Sequence, residues 1–158
     1  MTGTDTPATA AAAAAGIEHR VVSYGRVASA EEAARARGVP LGALVKTIVV
    51  RISDDDFRLI AIPGDRAIDW PKLRAVLGVS RASLADHADL PDITGYMRGT
   101  VTPLGATRIW PLVIDAELAE LGEVSIGGGA HGVAIHLSPA DLASQFHALI
   151  ADVSKPAA

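Results

Sequence analysis

The sequence predicts a mixed α+β (mixed α/β) fold, and three observations predict it. At 158 residues the chain fits one domain with a sizeable core. Strand-like segments follow one another without helices between them, once around 44–62 and again around 107–137. Helical segments with clear start and stop signals lie on either side of these runs. The resulting order is strand, helix, hairpin, helix, short helix, loop, three strands, helix. A doubly wound sheet would alternate strictly, so the sheet is expected to be mixed and mostly antiparallel.

Taken in order, MTGTDTPATAAAAAAG (1–16) reads as a low-complexity, alanine-rich leader, expected to be disordered apart from a helical turn, and a single domain is expected over 17–153. IEHRVVSYGRV (17–27) mixes β-branched and polar residues, as a first strand does. Ser29 with Glu32 forms a capping box, and Gly38 with Pro40 stops the helix, which predicts helix over 30–37. LVKTIVVRI (44–52) is nearly continuous in apolarity, the mark of a strand buried on both faces, and SDDD turns it into FRLIAI (57–62). Asp69 caps the next helix, with Pro71 in its first turn and Gly78 at its end. Ser83 and Asp86 repeat the box spacing ahead of a short segment, 84–90. TRIWPLVID (107–115) reads as a strand interrupted by Pro111, which predicts an edge or a bulge. EVSIG and GVAIHL flank the turn GGGAHG, and SPAD opens a last helix expected to run to Val153.

Composition excludes several classes. With no cysteine there is no disulfide framework, no thiolate nucleophile and no thiolate metal site. His19, His87, His131, His136 and His147 show no metal-ligand spacing, and no metal and no cofactor are expected. No apolar run is long enough to span a bilayer, and the amino terminus lacks a secretion signal, so no membrane association and a cytoplasmic address are expected. The net charge of −4 argues against a broad basic field. Any nucleic-acid contact must be local.

Three features carry candidate chemistry. Lys46 sits in a strand with Leu44, Ile48 and Val50 on its face. An ammonium there either snorkels to the rim or faces a cleft holding an anion or carbonyl. The loop 95–105 has glycines at 95, 99 and 105 and a proline at 103, which suits close approach of a ligand to the backbone and equally suits a plain surface loop. Tyr96 and Arg98 in it offer a stacking face and a phosphate contact. The GGGAHG turn, 127–132, lacks the residues that follow a phosphate-binding loop, so it reads as a tight turn or as a site element. His136 alternates with apolar neighbours and is expected to point away from the core.

VKTIVV around Lys46, TGYMRGTVTPLG with a GxxxP spacing from Gly99 to Pro103, PLVIDA, and GGGAHGVAIHLSPADL together resemble the YbaK/EbsC family of free-standing aminoacyl-tRNA deacylases. These are relatives of the editing domain of bacterial prolyl-tRNA synthetases, and the likeness is greatest to the branch that clears Cys-tRNA(Pro). It covers roughly 17–150. The resemblance implies a single domain with a mixed, partly barrel-like sheet, and no metal or covalent enzyme intermediate. By the match, the catalytic set is Lys46, Gly99 and Pro103. By the match Gly128 and Gly129 are implied as substrate contacts, and the residues themselves add Thr47, Gly95, Tyr96, Arg98, Gly105 and His131 as candidate substrate contacts. The implied partner is the acceptor end of a mischarged aminoacyl-tRNA, together with a prolyl-tRNA synthetase. Gly127 stands where the resembling cysteine-type members carry serine, and Ala130 and His131 where they tend to be basic. Alanine, serine and threonine therefore stay open beside cysteine as the edited amino acid. Arg20, Arg26, Arg98 and Arg108 are candidate phosphate contacts. The same fold with Lys46 on an open rim would also serve as a non-catalytic module binding a tRNA acceptor end or a synthetase.

Overall fold

The structure is a computed structural model and describes residues 3–157. The helices are α1 (Pro7–Ala14), α2 (Ala30–Arg37), α3 (Trp70–Leu77), α4 (Leu90–Thr94), α5 (Ala116–Ala119) and α6 (Pro139–Phe146). The strands are β1 (His19–Ser23), β2 (Val45–Ser53), β3 (Asp56–Pro63), β4 (Arg66–Ile68), β5 (Ser83–Leu84), β6 (Leu112–Asp115), β7 (Val124–Gly127), β8 (Val133–Leu137), β9 (Leu149–Ala151) and β10 (Ser154–Pro156).

Two sheets enclose the main core. The larger has the order β5-β2-β3-β6-β9, with β2 antiparallel to β3 and β5, and β6 parallel to β3 and β9. The smaller is the antiparallel β1-β8-β7. A parallel bridge between Leu44 and Ser125 ties the start of β2 to β7, so the two sheets curve toward one another. Val45, Val49, Leu59, Ala61, Leu112 and Ile114 meet Val124, Ile126, Ile135 and Leu137 in the space between. On the other face of the large sheet, Val50, Ile60, Ile62 and Val113 pack on Leu73 of α3. Alternate residues of β2 and β3 thus enter different cores, which is why both strands read as continuous apolar runs.

Local signals account for much of this. Ser29 caps α2 by accepting from Glu32, and Gly38 ends the helix at φ 76°. Asp69 and Gly78 do the same for α3, and Ser138 with Pro139 opens α6.

Four expectations need correction. The leader is ordered over 7–14: Thr6 and Thr9 form a capping box for α1, and Ala8 and Ala12 are fully buried in the main core. Alanine repeats look featureless as sequence, yet a small side chain is what lets a helix lie close against loops. The last helix stops at Phe146, because His147 takes the left-handed conformation at φ 50°, and β9 and β10 follow in place of further helix. Pro111 precedes β6 instead of interrupting it, and β6 lies inside the sheet, with the Pro111 carbonyl accepting from the Leu59 amide. The Ser83/Asp86 box does not form: Ser83 and Leu84 pair with β2, and the helix starts at Leu90.

Candidate active site

A cleft of about 1110 Å³ runs along one edge of β2. β5 pairs only with Val50 and Arg51, and the Leu44–Ser125 bridge covers the other end. Between them the strand edge is open. The Leu44 carbonyl accepts from Gly64 on the β3 side, whereas the Val49 carbonyl accepts from Ala85 on the other. Because polar groups alternate along an antiparallel strand, the amide and carbonyl of Thr47 point to the open edge. The Thr47 hydroxyl is also buried without a partner. A strand edge exposed in this way is a template for a ligand's own polar groups.

The opposite wall comes from the loop after α4 and from the β7–β8 turn. Gly99 has φ 85°, and a Cβ there would lie 3.2 Å from the His131 ring, so the two loops touch at these residues. At Gly127, a Cβ would lie 3.3 Å from the Val101 carbonyl. The rest of the first loop is built inward: Thr100 to Leu104 are buried, and the Tyr96 hydroxyl donates to the Leu104 carbonyl at 2.6 Å. Thr100 bonds back to Met97 through both its amide and its hydroxyl. Gly99 and Val101 are among the residues lining the cleft, and their amides find no acceptor among the described residues.

The structure therefore divides the residues singled out in the sequence. Lys46, Thr47, Arg98, Gly99 and His131 line the cleft, as does Gly127. Pro103, Gly95, Tyr96, Gly105, Gly128 and Gly129 do not. Pro103 is buried and holds the turn that ends in the Ala106 amide. Gly95 is the left-handed cap of α4. The Tyr96 ring is core, 4% exposed, and burial pushes its phenol up to about 12, so it presents no stacking face. Gly105 and Gly129 admit α1: a Cβ would collide with the Pro7 carbonyl at the first and lie 3.2 Å from Ala8 at the second. Gly128 packs on Val133, and its carbonyl accepts from Thr6 at 2.6 Å. These glycines fit the protein to itself.

Lys46 reaches away from the open edge, donating from Nζ to the Arg66 carbonyl. Burial holds its ammonium below the usual lysine range, against the upward pull of Asp65 and Glu31. Of the four arginines expected to meet phosphate, Arg26 and Arg98 line the cleft. Arg20 is paired with Glu123, and Arg108 lies 3.5 Å from Asp55 and stacks on Trp110. His136 alternates along β8 with Ile135 and Leu137, which enter the main core, and on the opposite face it is still only 2% exposed.

Arg37 lines the cleft as well and was missed in the sequence. In EEAARARGV it reads as one more basic residue near the end of a solvated helix. The ionisable residues lining the cleft are then Tyr24, Arg26, Arg37, Lys46, His87, Arg98 and His131, with no carboxylate among them, in a protein of net charge −4. Among the described residues no three His, Asp or Glu side chains gather as a metal site.

The fold and the site define a class: a single mixed-sheet domain in which an open strand edge and two glycine-containing loops border a cleft with no carboxylate in its lining. The chain belongs to the aminoacyl-tRNA editing domain family, whose model matches residues 25–144. It is 27% identical over 126 residues to "Putative Cys-tRNA(Pro)/Cys-tRNA(Cys) deacylase EbsC" of Enterococcus faecalis, covering 80% of this chain and 77% of that one. It is 28% identical over 130 residues to "Multifunctional Ser/Thr-tRNA deacylase ProXp-y" of Escherichia coli, covering 80% and 78%. Among solved structures, that of hypothetical protein APE2540 superposes with a TM-score of 0.87 at 27% identity, covering 95% of this chain and all of that one.

Proposed function

We propose that the protein hydrolyses the ester of a mischarged aminoacyl-tRNA, acting in trans as a free-standing editing enzyme in the cytoplasm. The observation that carries this reading is the pairing of the open Thr47 edge with the unpartnered amides of Gly99 and Val101 across a cleft lined by cations. An aminoacyl ester is already activated, so placement supplies much of the acceleration. Main-chain amides aimed at the carbonyl oxygen stabilise the charge that develops on it, and Gly99 leaves its amide unscreened by a side chain. Lys46 turns from the Arg66 carbonyl to the substrate and holds the ester carbonyl or the terminal phosphate. The nucleophile is water or a group of the substrate. Family membership and relatives named as deacylases support the reaction class.

The proposed amino acid is small. A pocket separates neighbours differing by one methylene by only about 1–3 kcal/mol, which is the situation that calls for a separate editing step. Cysteine on tRNA(Pro) is the first substrate to test, with alanine, serine and threonine beside it, and a prolyl-tRNA synthetase is the proposed partner that would deliver the tRNA. The test is deacylation of Cys-, Ala-, Ser-, Thr- and Pro-tRNA(Pro) by wild type and Lys46→Ala. Clearance of one mischarged species, reduced at least about 100-fold in the variant, is expected for a group acting at the reacting centre. Clearance of none would leave a domain that binds the acceptor end without cleaving it.

A further inference from the structure

Arg37, unlike Arg26 and Arg98, is held in the cleft wall by hydrogen bonds. Its Nη1 donates to the carbonyl and the hydroxyl of Ser125, each at 3.4 Å, and its Nη2 donates to the Tyr24 hydroxyl at 3.1 Å. Its Cζ lies 5.2 Å from the centre of the Tyr24 ring. Arg26 and Arg98 are exposed, whereas Arg37 is half-buried. Every one of its partners is neutral, and its Nε is buried with no acceptor. Among the described residues no carboxylate pairs with it. A guanidinium does not shed its proton at any working pH, so the half-buried charge stays uncompensated until an anion arrives.

We infer that Arg37 is the seat for the phosphodiester on the 5′ side of the terminal adenosine, an inference that rests on the editing reading above. The chemistry of that substrate selects the group. The aminoacyl moiety brings no free carboxylate, since it is esterified, and its α-ammonium repels a cation. The anion nearest the ester is the phosphodiester of the same nucleotide. Ser125 is the bridge partner of Leu44, so the guanidinium stands at the Leu44 end of the open edge, three residues or roughly 10 Å along β2 from Thr47. One nucleotide with its acyl group lies along that stretch, phosphate at Arg37 and ester at Thr47. Ser125 and Tyr24 leave one N–H of Nη2 unused, and a charge-assisted bond from it to a free phosphate oxygen suits that position.

The experiment compares full-length wild type, Arg37→Gln and Arg37→Lys. Gln keeps a donor for Ser125 and loses the charge, and Lys keeps the charge and loses the fork. In deacylation of the mischarged tRNA, Arg37→Gln is expected to raise KM about 10-fold or more with kcat within about 2-fold, the size of one charge-assisted contact. The slope of log KM against log salt should become shallower by about 0.7, and Arg37→Lys should restore most of that slope. By calorimetry, the trinucleotide CCA should bind wild type more tightly than Arg37→Gln by the same factor, while adenosine binds both alike. A wild-type KM and salt slope in Arg37→Gln would overturn the assignment, as would equal loss of adenosine binding, which marks a purely structural arginine. Inorganic phosphate binding as tightly as CCA would also overturn it, in favour of a free-anion site. A wild type that cleaves no mischarged tRNA yet binds CCA through Arg37 would retire the editing reading and keep this one. Deacylation that ignores Arg37 would do the reverse.

Discussion

His136 shows how much a single buried polar residue constrains. Its Nδ1 lies 3.2 Å from Arg20 Nη2, so it accepts from that guanidinium, and the ring proton is left on Nε2, which finds no partner. Burial pushes the pKa below the ordinary value near 6.5, and Arg20 and Arg37 push the same way while Glu123 opposes them. The native ring therefore stays neutral at a pH where the unfolded chain has already taken up a proton. Stability must fall as pH drops below about 6.5, because the unfolded state then binds more protons. Urea unfolding at pH 7.5 and 5.5 should show this loss in wild type and a smaller loss in His136→Gln; equal losses would place the acid sensitivity elsewhere. Lys46 carries the same sign. Its lowered pKa means that deprotonation, and with it any failure of the cation to hold substrate, begins below the usual lysine range.

At the scale of elements, the glycines and alanines that looked like substrate machinery or filler turn out to be one joint. α1 lies across both glycine loops: Pro7 against Gly105, Ala8 against Gly129, and Thr6 bonded to Gly128. Ala12→Leu puts an isobutyl group into a position that is fully buried. Overpacking of that kind costs about 1–3 kcal/mol, and for a chain of this length each kcal/mol lowers Tm by about 2–4 °C. A thermal scan showing no change would mean that the leader does not dock. Gly129→Ala should also be destabilising, since its φ is 88° and its Cβ would meet Tyr96 Cε1 at 2.9 Å. The same joint explains what was legible. Helices α2 and α3 were readable because their stops are glycines, whereas α6 ends on His147, a non-glycine in a left-handed conformation that only tertiary packing selects. Gly99, a glycine of the cleft, is indistinguishable in sequence from Gly105, because both have positive φ and differ only in what lies beside them. Arg37 was unreadable for a related reason: its helix face became a cleft wall only when β7 arrived beside β2.

The whole molecule is acidic, yet its acidity lies entirely outside the site. Four of the fourteen Lys and Arg residues line the cleft and none of the eighteen Asp and Glu do, so ten basic groups face eighteen acidic ones on the remainder. Such a distribution draws a polyanion by one end and repels its body, with both effects screened beyond a Debye length of about 8 Å at physiological salt. If the proposed tRNA substrate meets this surface, it is expected to be held at its terminus. With at most four phosphate contacts available, log KM against log salt should rise with a slope no steeper than roughly 3, taking about 0.7 per contact for a single strand. A short acceptor-stem RNA carrying the same amino acid should then be cleaved with kcat/KM close to that of the full tRNA. A much steeper slope, or a large loss on truncation to the stem, would show that phosphates far from the cleft are bound, and that the acidic remainder of the surface does not turn the tRNA body away.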